Sequence, residues 1–222
     1  ISACLVGSEM CIRDSLKTHQ NIHVTMAFDT LSASTPLKVV AVAGSSFLPS
    51  RTLVLTDALT AALGEQLNID VHTINLGDIA RDLGAALSRG ELPAHVEAEL
   101  KQIESADLVV AATPVYRGAL PGHFKHLFDL IGIDSLANTP VLLAATGGSD
   151  RHALVIDHQL RPLFSFLQAI TLPIGVYGST ADFENYEISS SLLQARIQLA
   201  VERAVPLFQA YRREAPARLK IA

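Results

Sequence analysis

Three segments of the chain concentrate residues able to hold a ligand. In GSSFLPSRT (44–52) the hydroxyls of Ser45, Ser46, Ser50 and Thr52 accompany the guanidinium of Arg51. If Ser50 opens a helix, the free amides of its first turn join those groups, and the set suits a dianionic phosphate. An ordinary N-capped helix with a surface arginine is the plainer alternative. The segment has neither the G-x-G-x-x-G of a dinucleotide site nor the Gly-Lys-Ser/Thr ending of a P-loop. In TPVYRGALPG (113–122), Pro114 constrains the backbone ahead of Val115, Tyr116 and Arg117, leaving amides and carbonyls free to read the polar edge of a flat heterocycle. In ATGGSDRH (145–152), Gly147 and Gly148, between Thr146 and Ser149, permit close backbone approach to a ligand, although a plain turn explains the pair equally well.

The elements that must position these segments are legible from apolar periodicity. Short β-branched runs at 38–44, 70–76, 107–116, 140–146 and 171–178 predict strands, and the nearly continuous apolar character of several of them predicts burial on both faces. The gaps are long enough for crossover helices, so the fold class is α/β, a five-stranded parallel sheet with helices on both sides. Helices are expected after Ser50, with Leu55, Leu59, Leu63 and Leu67 on one face; after Pro93, with Val96, Leu100 and Ile103; and after Pro121, with Phe124, Leu127, Phe128 and Ile131. A fourth, over about 152–168, contains Pro162, which must kink it or be absorbed by a wide turn. A fifth, from about Ser189 to Arg212, carries Leu193, Ile197, Ala200, Ala204 and Phe208 in a stripe, with Pro206 expected to kink or shorten it. All three ligand-type segments follow strands, where open parallel sheets bind ligands. A phosphate cradle beside two edge-reading loops describes a mononucleotide site, and FMN is the mononucleotide that matches the five-stranded version of this fold.

Composition narrows the classes of partner. The 222 residues are 49% hydrophobic and 18% charged, which excludes disorder for most of the length. A net charge of −5 gives no broad basic surface for nucleic acid. No apolar run reaches a membrane span, so the expectation is a soluble, cytoplasmic protein without nucleic-acid or membrane partners. Both cysteines (Cys4, Cys11) and both methionines (Met10, Met26) fall in the first 26 residues. That break marks residues 1–35 as a leader outside the core, artefactual or disordered, and 36–222 as the domain. The two thiols support no metal site or disulfide. His123 and His126 have the spacing of a metal pair, but no third ligand accompanies them, so no metal is expected. His152 either contacts the ligand or caps its helix.

The quoted motifs, with ATPVYRGALPGHFKHLFDL and ATGGSDRHALVIDHQLRPLF extending the second and third, resemble the NAD(P)H-dependent FMN reductases of two-component alkanesulfonate monooxygenase systems, closest to the methanesulfonate branch. The resemblance spans residues 37 to about 212. It implies a flavodoxin-like sheet of order 2-1-3-4-5. It implies that Ser45, Ser50, Arg51 and Thr52 hold the FMN phosphate, that Pro114, Val115, Tyr116 and Arg117 line the isoalloxazine, and that Thr146, Gly147, Gly148 and Ser149 close its other side. It also implies NADH or NADPH as cosubstrate, reduced FMN passed to a flavin-dependent monooxygenase, and a homotetramer whose contact includes a π-helical insertion near His158. Hydride transfer to flavin needs no side-chain acid or base, so no catalytic residue is assigned. Two rivals use the same fold: an FMN-retaining quinone or azo reductase, and a flavodoxin-type electron carrier, against which Arg51 and the modest charge both count.

Overall fold

The computed structural model describes residues 35–214. The expected leader, with Cys4, Met10, Cys11 and Met26, therefore lies outside the described residues except for Thr35, as does the tail beyond residue 214. The chain runs β1 (Leu37–Ala43), α1 (Arg51–Gly64), β2 (Ile69–Asn75), α2 (Leu76–Ala85), α3 (Ala94–Glu104), β3 (Leu108–Pro114), α4 (Gly122–Asp129) and β4 (Pro140–Gly147). A π-helical turn (Ile156–Leu160) then leads into α5 (Arg161–Phe166), followed by β5 (Ile170–Thr171), β6 (Val176–Ser179), a small hairpin of β7 (Phe183–Glu184) and β8 (Glu187–Ile188), and α6 (Ser191–Glu214).

The strands pair in parallel in the order β2-β1-β3-β4-β5, with β6 also against β4. This is the expected doubly wound sheet. Side-chain alternation assigns its two faces. Val40 and Val42 of β1 point to one core with Leu83 of α2, Leu100 of α3, Phe124 of α4 and Phe164 of α5. Val39 and Ala41 point to the other, with Leu55 and Leu59 of α1 and Ile197 and Val201 of α6. Because β1 and β3 are covered on both sides, their residues are apolar in succession instead of alternating.

Four details differ from or sharpen the sequence expectation. The fifth strand position is split: Ile170 and Thr171 pair with Pro140 and Val141, and pairing resumes at Val176↔Ala144. Pro173 lacks an amide proton for the ladder, and Gly175 sits where a Cβ would come within 2.6 Å of Ile156 Cγ2, so the break accommodates the π-helical turn. The segment around Pro162 is absorbed by that wide turn, with Pro162 in the first turn of α5. α6 continues through Pro206 to Glu214. Helix α2, which begins directly at the end of β2, was not apparent from the sequence.

No described helix is long and apolar enough to cross a membrane.

Candidate functional site

The register of the sheet brings the three segments to one edge. Ala43 pairs with Ala112 and Pro114 with Thr146, so the loops after β1, β3 and β4 leave the carboxyl edge side by side. Two further hydrogen bonds tie them together. Thr52 Oγ1 and Thr146 Oγ1 are 2.7 Å apart in a buried contact, which joins the first segment to the third. The Val115 amide donates to the Thr146 carbonyl at 2.7 Å, which joins the second to the third.

Within the first segment, the hydroxyls of Ser45 and Ser50 have structural duties. Ser50 N-caps α1, its Oγ accepting from the Leu53 amide at 3.2 Å. Ser45 Oγ donates to the Phe47 carbonyl at 3.0 Å and so shapes the turn. Ser45, Ser50 and Thr52 are all buried. Arg51, at the first position of α1, supplies the formal charge, and its guanidinium lies over the Tyr186 ring, 5.6 Å from the centroid. The donor set of guanidinium, hydroxyls and first-turn amides is chemically matched to a phosphate monoester.

The second segment turns back on itself. Tyr116 and Ala119 exchange backbone hydrogen bonds of 2.8 and 3.1 Å around Arg117 (φ 55°) and Gly118 (φ 82°), both left-handed. The loop is held from outside by Gln159 of the π-helical turn: Gln159 Oε1 accepts from the Leu120 amide at 2.9 Å, and its Nε2 approaches the Gly118 carbonyl at 3.4 Å. Tyr116 projects half-exposed from the turn.

The third segment rests on Tyr177 of β6, whose hydroxyl donates to the Ser149 carbonyl at 2.6 Å. Burial pushes the Tyr177 phenol above its ordinary range, and the carboxylates of Asp150 and Asp182 add to the shift, so it remains a donor. A Cβ at Gly147 would collide with that hydroxyl and lie 3.2 Å from Cζ, which is why the position is glycine. At Gly148 a Cβ would meet nothing within 4 Å, so this stretch of backbone faces open space.

The structure thus groups the twelve expected residues at one edge, and it adds Tyr177, Gln159 and Tyr186, which sequence reasoning missed. Each of the three lies on a distant element and carries no motif of its own. His126, weighed as a metal-pair member, instead sits with Nε2 at 2.8 Å from the Ala86 carbonyl and 3.1 Å from that of Leu83, capping the end of α2.

Comparison with known proteins identifies the family. The family model described as NADPH-dependent FMN reductase matches residues 37–184. A Pseudomonas fluorescens protein named NADH-dependent FMN reductase SfnF is 68% identical over 175 residues, covering 79% of this chain and 94% of its own length. A Pseudomonas aeruginosa FMN reductase (NADPH) is 65% identical over 175 residues, covering 79% and 94%. Among solved structures, an oxidoreductase from Corynebacterium diphtheriae superposes with a TM-score of 0.70 at 30% identity, covering 78% of this chain and 96% of that one. With the family model spanning most of the chain and relatives this similar, the chain belongs to the NADPH-dependent FMN reductase family.

Proposed function

We propose that this chain is an NAD(P)H:FMN oxidoreductase that supplies reduced FMN to a separate flavin-dependent monooxygenase acting on an organosulfonate. One observation carries the reading. The Thr52–Thr146 and Val115–Thr146 bonds lock a phosphate-type cradle against two loops on the same sheet edge, in a chain that belongs to this family. When bound there, FMN supplies a ring that accepts a hydride from the nicotinamide of NADH or NADPH.

The protein's own residues bind and orient. The hydroxyls of Ser45, Ser50 and Thr52 already build the loop and cap the helix, so phosphate charge falls chiefly on Arg51 and the first-turn amides of α1. Pro114, Val115, Tyr116 and Arg117 line one side of the ring, and Thr146, Gly147, Gly148 and Ser149 the other. Stacking two rings at reacting distance is the protein's main task, and no side chain need move a proton. Backbone open to solvent at Gly118 and Gly148 favours a flavin that is exchanged over one sealed in place.

The reductase body is the segment 36–222, assembled as a cytoplasmic homotetramer. What supports assembly is the apolar surface around the π-helical turn. Leu154 is 62% and Phe166 70% exposed, and Phe166 lines a cavity of about 530 Å³ together with Phe128, Ile133 and Leu163. A second copy is the partner this reading assigns to that surface, with His158 in the contact.

The test is steady-state oxidation of each nicotinamide with FMN, FAD or riboflavin varied. Catalytic turnover of FMN is expected. Stoichiometric oxidation would instead mark an electron carrier, and saturable quinone turnover exceeding that of FMN a quinone reductase. Arg51→Ala should weaken FMN by about ten- to a hundredfold, the loss of a charge-assisted bond, and leave riboflavin nearly untouched. Equal losses for both flavins would defeat the phosphate assignment.

A further inference from the structure

The β7–β8 hairpin ends in a two-residue turn whose residues, Asn185 (φ 48°) and Tyr186 (φ 62°), are both left-handed. Such a turn fits the twist of a hairpin, but its second position is ordinarily glycine, because an aromatic residue is strained there. Burial does not compensate, since Tyr186 is 42% exposed. What the ring does gain is the guanidinium of Arg51, 5.6 Å from its centroid.

The hairpin is also firmly mounted. Asp182 Oδ2 accepts from the Ser179 amide at 2.8 Å and from its hydroxyl at 2.9 Å. The Asp182 carbonyl accepts from the Ser189 amide at 3.0 Å. Phe183 is buried, and Ile188 packs with the core formed by α1 and α6. A ring on this mount has a fixed position relative to the first turn of α1.

We infer that Tyr186 is a positioning and specificity-determining residue that holds Arg51 ready for the flavin phosphate. A cation–π contact draws on the charge of the guanidinium and does not itself consume its N–H hydrogen bonds, which stay free to donate. Arginine otherwise loses rotamer freedom on binding a ligand, and a ring that has already restricted it lowers that cost. The hairpin thereby sets the preference for FMN over riboflavin, which lacks the phosphate. This inference rests on the reading of Arg51 as the phosphate ligand.

The experiment titrates FMN and riboflavin, by quenching of flavin fluorescence, into full-length wild type, Tyr186→Asn, Tyr186→Phe, Arg51→Ala and the Arg51→Ala/Tyr186→Asn double variant. Asparagine tolerates the left-handed backbone, so it removes the ring while keeping the turn. Tyr186→Asn should weaken FMN by about two- to fivefold, the range of a half-exposed cation–π contact, with riboflavin unchanged. Tyr186→Phe should restore wild-type discrimination, and Tyr186→Asn should have no further effect once Arg51 is alanine. If Tyr186→Asn weakens both flavins alike, the ring merely supports the pocket and the inference is overturned. If Arg51→Ala discriminates between the flavins while Tyr186→Asn leaves both affinities intact, the positioning role alone fails. If Arg51→Ala itself does not discriminate, the phosphate reading falls, and this inference with it.

Discussion

Gly147 and Tyr177 should be energetically coupled, and the coupling can be calculated from their geometry. Tyr177→Phe removes a neutral hydrogen bond of 2.6 Å to the Ser149 carbonyl, a loss of about 1 kcal/mol. Gly147→Ala places a Cβ in the space of the Tyr177 hydroxyl, so it breaks the same bond. It also crowds Cζ at 3.2 Å, and overpacking of this kind costs about 1–3 kcal/mol. The single variants should therefore lose about 1 and about 2–4 kcal/mol. In the double variant the bond is lost only once and the hydroxyl is no longer in the way, so the total should fall short of the sum by about 1–2 kcal/mol. Urea unfolding followed by far-ultraviolet circular dichroism measures all three. Additivity within about 0.5 kcal/mol would refute the contact as the reason for glycine at 147. The same hydroxyl has a pH signature. With its pKa raised in the folded state, Tyr177 contributes stability that is complete below the ordinary tyrosine value of 10.0 and is lost as pH rises beyond it. Tyr177→Phe should flatten that alkaline loss.

Other perturbations separate the parts of the site. Gln159→Ala frees the Leu120 amide and should weaken FMN and riboflavin equally, by about fivefold for one lost bond, in contrast to the phosphate-selective effect at Arg51; flavin titration distinguishes the two patterns. Arg89 bonds Glu97 and Glu104 together. The Arg89 side-chain bond holds Glu97 below the usual carboxylate range. At Glu104 burial opposes ionisation, but the bonds from Arg89 and the Gly132 amide outweigh it. Arg89→Ala should cost about 2 kcal/mol near neutrality for this half-exposed cluster. Because depressed carboxylates stabilise only while ionised, that difference should shrink as pH falls below the unfolded value of 4.5, and a constant difference in urea titrations across pH would refute the assignment. His158→Ala should shift the oligomer distribution and flavin retention together, as read by light scattering and flavin titration; a monomeric wild type would remove the basis for the tetramer.

Most of the fold was legible because burial on both sheet faces leaves a strong local mark. The runs at 38–44, 107–116 and 140–146 are apolar almost without interruption, and their shortness and β-branched content mark them as strands covered on both faces. The stripes of α1 and α6 were equally readable. What failed was local in another way. Helix α2 starts at Leu76, where the periodicity of β2 runs directly into it without a loop, and Asn75 makes no side-chain capping bond to announce the change. The split of the fifth strand depends on Ile156, a residue of the π-helical turn that meets Gly175 only in the folded chain. Pro162 did announce that the helix around it needed relief, since a proline forces the issue within its own turn.

The site divides along the same line. Residues that would touch a ligand sit in short contiguous motifs, because a strand end and the first turn of the next helix span only a few residues, and a sequence shows these well. The residues that hold the motifs in place come from elsewhere. Tyr177 reaches Ser149 from 28 positions away, and Gln159 reaches Leu120 from 39. Tyr186 reaches Arg51 from the hairpin after the last sheet strand. None has a distinguishing neighbour pattern, and a half-buried tyrosine on a strand is ordinary in itself. One clue was available in the glycines. Gly147 and Gly148 read alike in sequence, as backbone freed for a ligand, yet a side chain would collide with a tyrosine at the first and meet nothing within 4 Å at the second. At the first, the missing side chain makes room for the protein's own support, and at the second it leaves backbone facing open space, a difference set by Tyr177 on β6 and therefore invisible in the motif itself.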